Sequence, residues 1–109
     1  MNARARDRGD VDHRALGGLE LVEKAALAAL TREMASDFGR VGVRVNSIAP
    51  GEIDTSILSP GTEKIVDQQI PMHRLGTTDE VAKIIYVLCT ETSSYVNGAE
   101  IHINGGQHV

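Results

Sequence analysis

The sequence is poor in aromatic residues, at 3% of the chain, and it contains a single cysteine, Cys89. One thiol excludes an internal disulfide and any metal site built from several thiolates. No apolar run approaches the roughly 18 residues of a membrane-spanning helix, and no signal peptide opens the chain. The net charge of −4, with no clustered basic face, argues against nucleic-acid binding. These absences predict a cytoplasmic protein that binds neither nucleic acid nor a membrane.

The start of the chain differs in composition from the rest. Residues 1–14 contain four arginines and three aspartates but almost no large apolar side chain. Such a segment buries too little surface to offset its ordering entropy. After Gly17–Gly18, which we interpret as a hinge, the chain is more apolar and more acidic. We therefore expect residues 1–18 to be disordered or unrelated to the fold, and residues 19–109 to form the domain.

Beyond the hinge, the apolar residues predict a long helix followed by a strand. Val22, Ala26, Leu30 and Met34 recur at helical spacing, and Gly39 and Gly42 are suited to stop the helix. In residues 43–49 β-branched residues alternate with polar ones, and Pro50–Gly51 follows, which predicts a strand of about seven residues.

The second half of the sequence predicts two helices and a final strand. "TEKIVDQQ" is a short amphipathic helix, and Thr77 with Glu80 forms a capping box for the next one. The predicted buried face of that helix consists of Val81, Ile84, Ile85 and Leu88. "AEIHI" is the last strand. A strand, a helical crossover and a second strand make a βαβ unit, so the fold class is α/β and the two strands should be parallel.

Four segments, in order along the chain, carry a resemblance to a known family: "EKAALAALTREMA", "GVRVNSIAPGEIDT", "PMHRLGTTDEVA" and "SSYVNGAEIHINGG". They are similar to the last part of short-chain dehydrogenase/reductases, which are NAD(P)-dependent oxidoreductases with a Rossmann-type fold. The resemblance covers about residues 22–106, roughly the C-terminal two-fifths of a complete member. It implies a partial Rossmann-like fold, the C-terminal αβαβ part of a doubly wound parallel sheet. The motifs look most like members that reduce 3-oxoacyl thioesters or small alcohols.

By this resemblance, Lys24 stands at the position of the active-site lysine. In the family a tyrosine four residues earlier exchanges a proton with the substrate oxygen, and the lysine ammonium favours its phenolate and holds the nicotinamide ribose. That position is Glu20 here, and the serine position upstream falls at Asp7. Glu20 as the base is a weak alternative, because a carboxylate beside an ammonium resists protonation. A Glu20–Lys24 ion pair on a solvated helix is the favoured interpretation.

The resemblance also implies a nicotinamide-binding segment. Pro50, Gly51, Ile53 and Thr55 would line the nicotinamide end of NAD or NADP, with Thr55 hydrogen-bonded to the carboxamide. The alternative is that Pro50–Gly51 simply ends a strand. The 109 residues contain no Gly-x-Gly-x-x-Gly turn. Binding of the cofactor by this chain alone is therefore not expected.

Other candidates have structural interpretations. Tyr86 is expected to be a partly buried packing residue, and Arg74 to brace a loop. The histidines show no metal-ligand spacing, and His102 is interpreted as a strand residue, so no metal site is predicted. Gly105–Gly106 is a weak signal for anion binding, which we discount.

Three interpretations of function remain open. The chain is a truncated family member that is inactive alone, a non-catalytic subunit that docks onto a full-length relative, or the product of a frameshifted gene in which residues 1 to about 21 are unrelated to the fold. The change in composition and the onset of resemblance near Val22 favour the third as an account of origin. Without neighbouring strands, the Leu27–Leu30–Met34 stripe, Val43 and Val45 should face water. We therefore expect a homo-oligomer or association with a full-length relative.

Overall fold

The computed structural model describes residues 13–107, with side chains described from residue 18. Helices alternate with short strands, as the sequence predicts. The elements are α1 (His13–Gly39), β1 (Ser47–Pro50), β2 (Ile53–Asp54), α2 (Thr62–Gln69), β3 (Gly76–Thr77), α3 (Thr78–Leu88), a 3-10 turn (Glu91–Ser93) and β4 (Glu100–Ile103). None of these helices is long and apolar enough to cross a membrane.

The strands form two parallel pairs. β1 pairs with β4 from Ser47 opposite Glu100 to Pro50 opposite Ile103, so the predicted parallel arrangement is confirmed. β2 pairs with β3 through Ile53 opposite Gly76. The sequence analysis did not predict this second pair, because two-residue strands are too short to show a periodicity.

The strand predicted over residues 43–49 is wrong at its start, since β1 begins at Ser47. Before that point one backbone hydrogen bond remains, from the Gly98 N–H to the Val45 carbonyl at 2.8 Å, and side chains supply the others. The Val45 N–H donates to Asn97 Oδ1 at 2.9 Å. Asn46 Nδ2 donates to the Val96 carbonyl at 3.0 Å, and Asn46 Oδ1 accepts from the Ala99 N–H at 2.9 Å. Two asparagines therefore supply most of the hydrogen bonds between these segments, where an alternating pattern predicts a regular backbone ladder.

Helix α1 starts earlier than predicted. It begins at His13, so residues 13–18 are helical and the expected hinge at Gly17–Gly18 lies within the helix. A glycine in a helix costs about 1 kcal/mol relative to alanine, which a long helix rich in alanine and leucine tolerates. Residues 1–12, where the rest of the disordered segment was predicted, lie outside the described residues. The predicted stop is confirmed, because α1 ends at Gly39 and Gly42 has φ of 85°.

Helix α3 confirms one prediction and corrects another. Its capping box is complete: the Glu80 N–H donates to Thr77 Oγ1 at 3.0 Å, and Glu80 Oε1 accepts from the Thr77 N–H at 2.9 Å. The predicted buried face is only half-buried, and Ile85 is 42% exposed. Tyr86 is 72% exposed, so its predicted packing role is wrong.

Few residues are buried. Among the residues whose burial is described, they are Thr31, Ala35, Ile70 and Ser93. Ala35 packs α1 against the turn before β4, because its Cβ lies 3.3 Å from the position that a Cβ on Gly98 would occupy. The exposure predicted for Leu27, Leu30 and Val43 is confirmed, since each remains about half exposed. Met34 and Val45 are only partly exposed, so for them the prediction is wrong. The described chain therefore has a small core and large exposed apolar faces.

Candidate functional site

The carboxyl end of β1 leads into the predicted nicotinamide segment. Pro50 ends the strand, and the Gly51 N–H donates to the Ile103 carbonyl at 2.9 Å. A Cβ on Gly51 would lie 2.7 Å from the Cβ of Asn104, closer than real Cβ atoms approach. Gly51 is therefore needed here for a close approach of two backbones rather than for a positive φ.

The segment continues through β2 to Thr55. Ile53 is paired with Gly76 of β3, and the Gly76 N–H donates to the Glu52 carbonyl at 3.0 Å. Thr55 is exposed, and its hydroxyl donates to the Ile57 carbonyl at 3.0 Å. The Thr55 oxygen consequently retains lone pairs that face solvent and are able to accept a hydrogen bond.

An ion pair braces β3 against the start of α3. Arg74 donates from Nη1 to Glu80 Oε1 at 2.9 Å and from Nη2 to Glu80 Oε2 at 2.8 Å. Arg74 Nη1 also donates to the Leu75 carbonyl at 3.1 Å, so the predicted loop brace agrees with the structure. The Arg74 hydrogen bonds, followed by the Thr77 N–H, lower the pKa of Glu80 to about 2. Because Glu80 also caps α3, one carboxylate connects the loop, β3 and the helix.

A cleft of about 320 Å³ lies beside this brace. Its lining consists of Glu52, Met72, Arg74, Gly76, Glu80, His102, Ile103, Asn104, Gly105 and Gly106. Sequence reasoning missed this cleft, although the discounted Gly105–Gly106 pair and Arg74 are part of it. Within residues 13–107 no group of three or more acidic, histidine or cysteine side chains is able to hold a metal ion. His102 Nε2 lies 3.5 Å from Glu100 Oε1 within β4.

Lys24 has no described hydrogen bond to the nicotinamide segment. It is exposed and shares one face of α1 with Thr31 and Ala35, at spacings i, i+7 and i+11. Glu20 lies one turn before it. The described ion pairs do not include Glu20–Lys24, so that prediction is wrong; both side chains are exposed, where water competes with such a pair. In the part of the chain that the structure describes, no hydrogen bond joins Lys24 to residues 50–55.

A helix packed on a parallel strand pair, with a loop at the carboxyl end of the strand, defines part of a Rossmann-type α/β protein. A family model described as Enoyl-(Acyl carrier protein) reductase matches residues 18–108. The FixR protein of Bradyrhizobium diazoefficiens is 56% identical over 97 residues, which are 89% of this chain and 35% of FixR. The 3-oxoacyl-[acyl-carrier-protein] reductase FabG of Aquifex aeolicus is 40% identical, over 76% of this chain and 35% of FabG. The chain belongs to the short-chain dehydrogenase/reductase family, as the sequence motifs predict.

A solved structure supports the same assignment. A 4-hydroxyisoleucine dehydrogenase complexed with NADH matches with a TM-score of 0.71 and 29% identity, over 79% of this chain and 36% of that one. The match with an NADH complex is consistent with the use of nicotinamide cofactors in the family. This chain spans about a third of the length of the relatives that it matches.

The FixR match moves the start of the similarity upstream. A match of 97 residues in a chain of 109 has to include residues 13–97. The predicted onset near Val22 is therefore too late, and Glu20 and Lys24 both lie within the region of similarity.

Proposed function

We propose that this chain carries the nicotinamide side of an NAD(P)-dependent short-chain dehydrogenase/reductase and does not catalyse hydride transfer by itself. In this proposal Pro50, Gly51, Ile53 and Thr55 line the nicotinamide end of NAD or NADP. The outward-facing lone pairs of the Thr55 oxygen accept from the carboxamide N–H. The tight contact of Gly51 with Asn104 holds this segment at the end of β1, which supports its role.

The geometry of α1 supports a role for Lys24 at the same end of the sheet. Lys24 precedes Ala35 by eleven residues, about 16 Å along a helix. Ala35 contacts Gly98, before the start of β4, and Ile103 lies about 16 Å further along the strand. These two distances agree if α1 runs antiparallel to β4, as helices in α/β units do. Lys24 and Ile103 would then lie at the same end of the sheet. Lys24 would then hold the ribose hydroxyls near Pro50.

One observation carries the proposed lack of activity: Glu20 stands four residues before Lys24. Hydride transfer to a carbonyl carbon leaves an alkoxide that has to receive a proton. A phenol beside an ammonium supplies that proton near neutral pH, whereas an ionised carboxylate has none to give. Lys24 therefore lacks the partner that would make it part of a catalytic pair.

Two assays test this proposal. The purified chain is incubated with NADH or NADPH and a 3-oxoacyl thioester, and cofactor oxidation is followed by absorbance; we expect none above a buffer control. In the second assay, residues 18–107 replace the matching part of Aquifex FabG. This chimera should bind NADPH but turn over at least about 10³-fold more slowly than FabG, and Glu20→Tyr should restore activity. Turnover by the unmodified chain, or turnover by the chimera within about 10³-fold of FabG, would refute the proposal.

The similarity to FixR bears on the origin of the chain. Because the match includes residues 13–21, in-frame similarity does not begin at Lys24. We therefore favour a family member with a substituted tyrosine over a frameshift just before Lys24. Reading the coding DNA upstream of Lys24 in all three frames tests this: an out-of-frame Tyr-x-x-x-Lys pattern would restore the frameshift interpretation.

We also propose that the chain acts in the cytoplasm in association with another polypeptide. Leu27, Leu30 and Val43 are about half exposed, and contiguous apolar faces of this kind mark interaction surfaces. A monomeric sedimentation value together with a sharp two-state melt would contradict the association.

A further inference from the structure

We propose that Asn104 is a site of spontaneous deamidation in the folded chain, with the Gly105 nitrogen as nucleophile, whereas the fold protects Asn97. These asparagines begin the two Asn–Gly pairs of the sequence, Asn97–Gly98 and Asn104–Gly105. Glycine has no Cβ to hinder a close approach of its nitrogen, so both pairs are open to the reaction in an unfolded chain. The inference goes beyond the proposed function and does not depend on cofactor binding or on the lack of activity.

The reaction replaces the side-chain amide of Asn104 by a carboxyl group. The Gly105 N–H gives its proton to a base in solvent, and the nitrogen attacks Asn104 Cγ. The bond from Cγ to Nδ2 breaks, ammonia leaves with a proton returned from solvent, and a cyclic succinimide remains. Water then opens the ring. Cleavage at Cγ gives aspartate, and cleavage at the main-chain carbonyl gives isoaspartate, in which the backbone runs through Cβ. Overall, one ammonia is lost and one water is gained.

The hydrogen bonds around Asn104 favour this attack. Asn104 Oδ1 accepts from the Gly106 N–H at 3.0 Å, so the side chain folds back over the Gly105 peptide. The same N–H stabilises the negative charge that this oxygen gains during the attack, as the donors of an oxyanion hole do. The Gly105 carbonyl accepts from the Met72 N–H at 3.2 Å, but within the described part of the chain the Gly105 N–H donates no hydrogen bond. The carbonyl under attack is therefore polarised, and the attacking nitrogen is not engaged elsewhere.

Three hydrogen bonds hold Asn97 back from the same reaction. The Gly98 N–H donates to the Val45 carbonyl at 2.8 Å, so the attacking nitrogen is engaged. Asn97 Oδ1 accepts from the Val45 N–H at 2.9 Å, and Asn97 Nδ2 donates to the Ala35 carbonyl at 3.0 Å. Attack at Asn97 therefore requires a local opening of the fold. Solvent exposure alone would predict the opposite order, because Asn97 is exposed and Asn104 is partly buried.

Deamidation of Asn104 changes the end of β4 beside the nicotinamide segment. Asn104 Nδ2 donates to the Gln107 carbonyl at 3.0 Å, and a carboxylate has no proton for that bond. Asn104 Cβ is the atom that a Cβ on Gly51 would approach to 2.7 Å, and in isoaspartate this atom becomes part of the backbone. The product also adds a negative charge to the cleft that Glu80 lines. We therefore expect the hydrogen bond of the Gly51 N–H to open more often in the modified chain.

The test is ageing of the full chain in mildly alkaline buffer, with and without denaturing urea. Peptide mapping by mass spectrometry measures Asn104 and Asn97 in the same sample, so that Asn97 is the internal control. In buffer, Asn104 should be modified at least about tenfold faster than Asn97, because only Asn97 has to wait for a local opening. In urea the two rates should agree within about threefold, because the fold no longer separates the two sites.

Asn104→Gln is the matched variant for the structural effect. It keeps the side-chain amide, but attack by the Gly105 nitrogen would have to close a larger ring. Ion exchange separates the deamidated chain by its added charge. Amide exchange at Gly51 should be at least about threefold faster in the deamidated chain than in the fresh one, and should stay unchanged when Asn104→Gln is aged in the same way.

Equal rates at the two asparagines in buffer, a faster rate at Asn97, or an unmodified Asn104 would each overturn the inference. A preference for Asn104 that persists in urea would overturn it as well, because the preference would then belong to the neighbouring sequence and not to the fold. Unchanged exchange at Gly51 in the deamidated chain, or an equal acceleration in aged Asn104→Gln, would refute the effect on the nicotinamide segment.

Discussion

The carboxyl-terminal part of the chain and the first half of α1 differ in how they are held. Around β1 and β4, polar side chains bond to distant backbone: Arg44 alone donates to the carbonyls of Val96, Leu88 and Thr90 at 3.1, 2.9 and 3.2 Å. In the first half of α1, Glu20 and Lys24 are exposed and share no ion pair. The first region is held by hydrogen bonds within the described chain, whereas the second exposes Glu20 and Lys24, whose functional roles remain proposals.

The largest expected loss of stability comes from removing the Arg44 hydrogen bonds. Arg44→Ala removes three hydrogen bonds that tie this strand region to the end of α3 and to Val96. The Val96 and Thr90 carbonyls keep Asn46 and Ser93 as donors, whereas the Leu88 carbonyl loses its described one. Hydrogen bonds from a charged group contribute about 1.5–3 kcal/mol, so we expect the free energy of unfolding to fall by about 2–3 kcal/mol. Urea unfolding followed by circular dichroism measures it.

Arg40→Ala is the matched control, because Arg40 is exposed and has no described hydrogen bond or ion pair. It removes the same charge and should change the free energy of unfolding by less than about 0.5 kcal/mol. Equal losses for the two variants would mean that Arg44 acts only through net charge.

A smaller loss is expected at the start of the nicotinamide segment. Gly51→Ala places a Cβ 2.7 Å from Asn104 Cβ and 3.1 Å from Asn104 Cα. Because Cα is backbone, the two segments have to separate, at a cost of about 1–3 kcal/mol. Thermal unfolding should show a lower midpoint for Gly51→Ala. Gly61→Ala is the control for loss of a glycine without a clash, because a Cβ on Gly61 would have nothing within 4 Å. The φ of 88° at Gly61 adds backbone strain to that control. A midpoint unchanged by Gly51→Ala would contradict the close approach.

Some of these contacts could be predicted from the sequence and others could not. The capping box of Thr77 and Glu80, the parallel pairing and the family were predictable because they depend on local spacing and ordered motifs. The roles of Asn46 and Asn97 were not, since each joins segments about fifty residues apart. The exposure of Tyr86 was missed because an apolar neighbourhood in sequence does not reveal which elements cover a helix. The nicotinamide segment and Lys24 remain predictions.

Acid should loosen the brace between Arg74 and Glu80. The pKa of Glu80 in the fold is about 2, below its ordinary value of 4.5. A lowered carboxyl pKa stabilises the fold above the unfolded value, and this contribution is lost as the pH falls from about 4.5 to about 2. Amide exchange at Gly76 and Thr77 should therefore accelerate over that range, relative to the intrinsic rate.

Glu80→Gln is the control for this titration, because its amide is isosteric but carries no charge. Exchange at Gly76 and Thr77 should then be faster at neutral pH and should lose its dependence on pH between about 4.5 and 2. A pH dependence that persists in Glu80→Gln would assign the effect to another group.

The smallest expected change in stability is in the first half of α1. Gly18 lies inside α1, and a Cβ at this position would have no neighbouring atom within 4 Å. Gly18→Ala therefore meets no clash and should stabilise the helix by about 0.5–1 kcal/mol. Ala29→Gly, at an exposed position of the same helix, should destabilise it by a similar amount. Helicity at 222 nm during urea unfolding measures both. If only Ala29→Gly changes stability, the first turns of α1 are not helical in solution. The placement of Glu20 one turn before Lys24 on the same helix would then be contradicted.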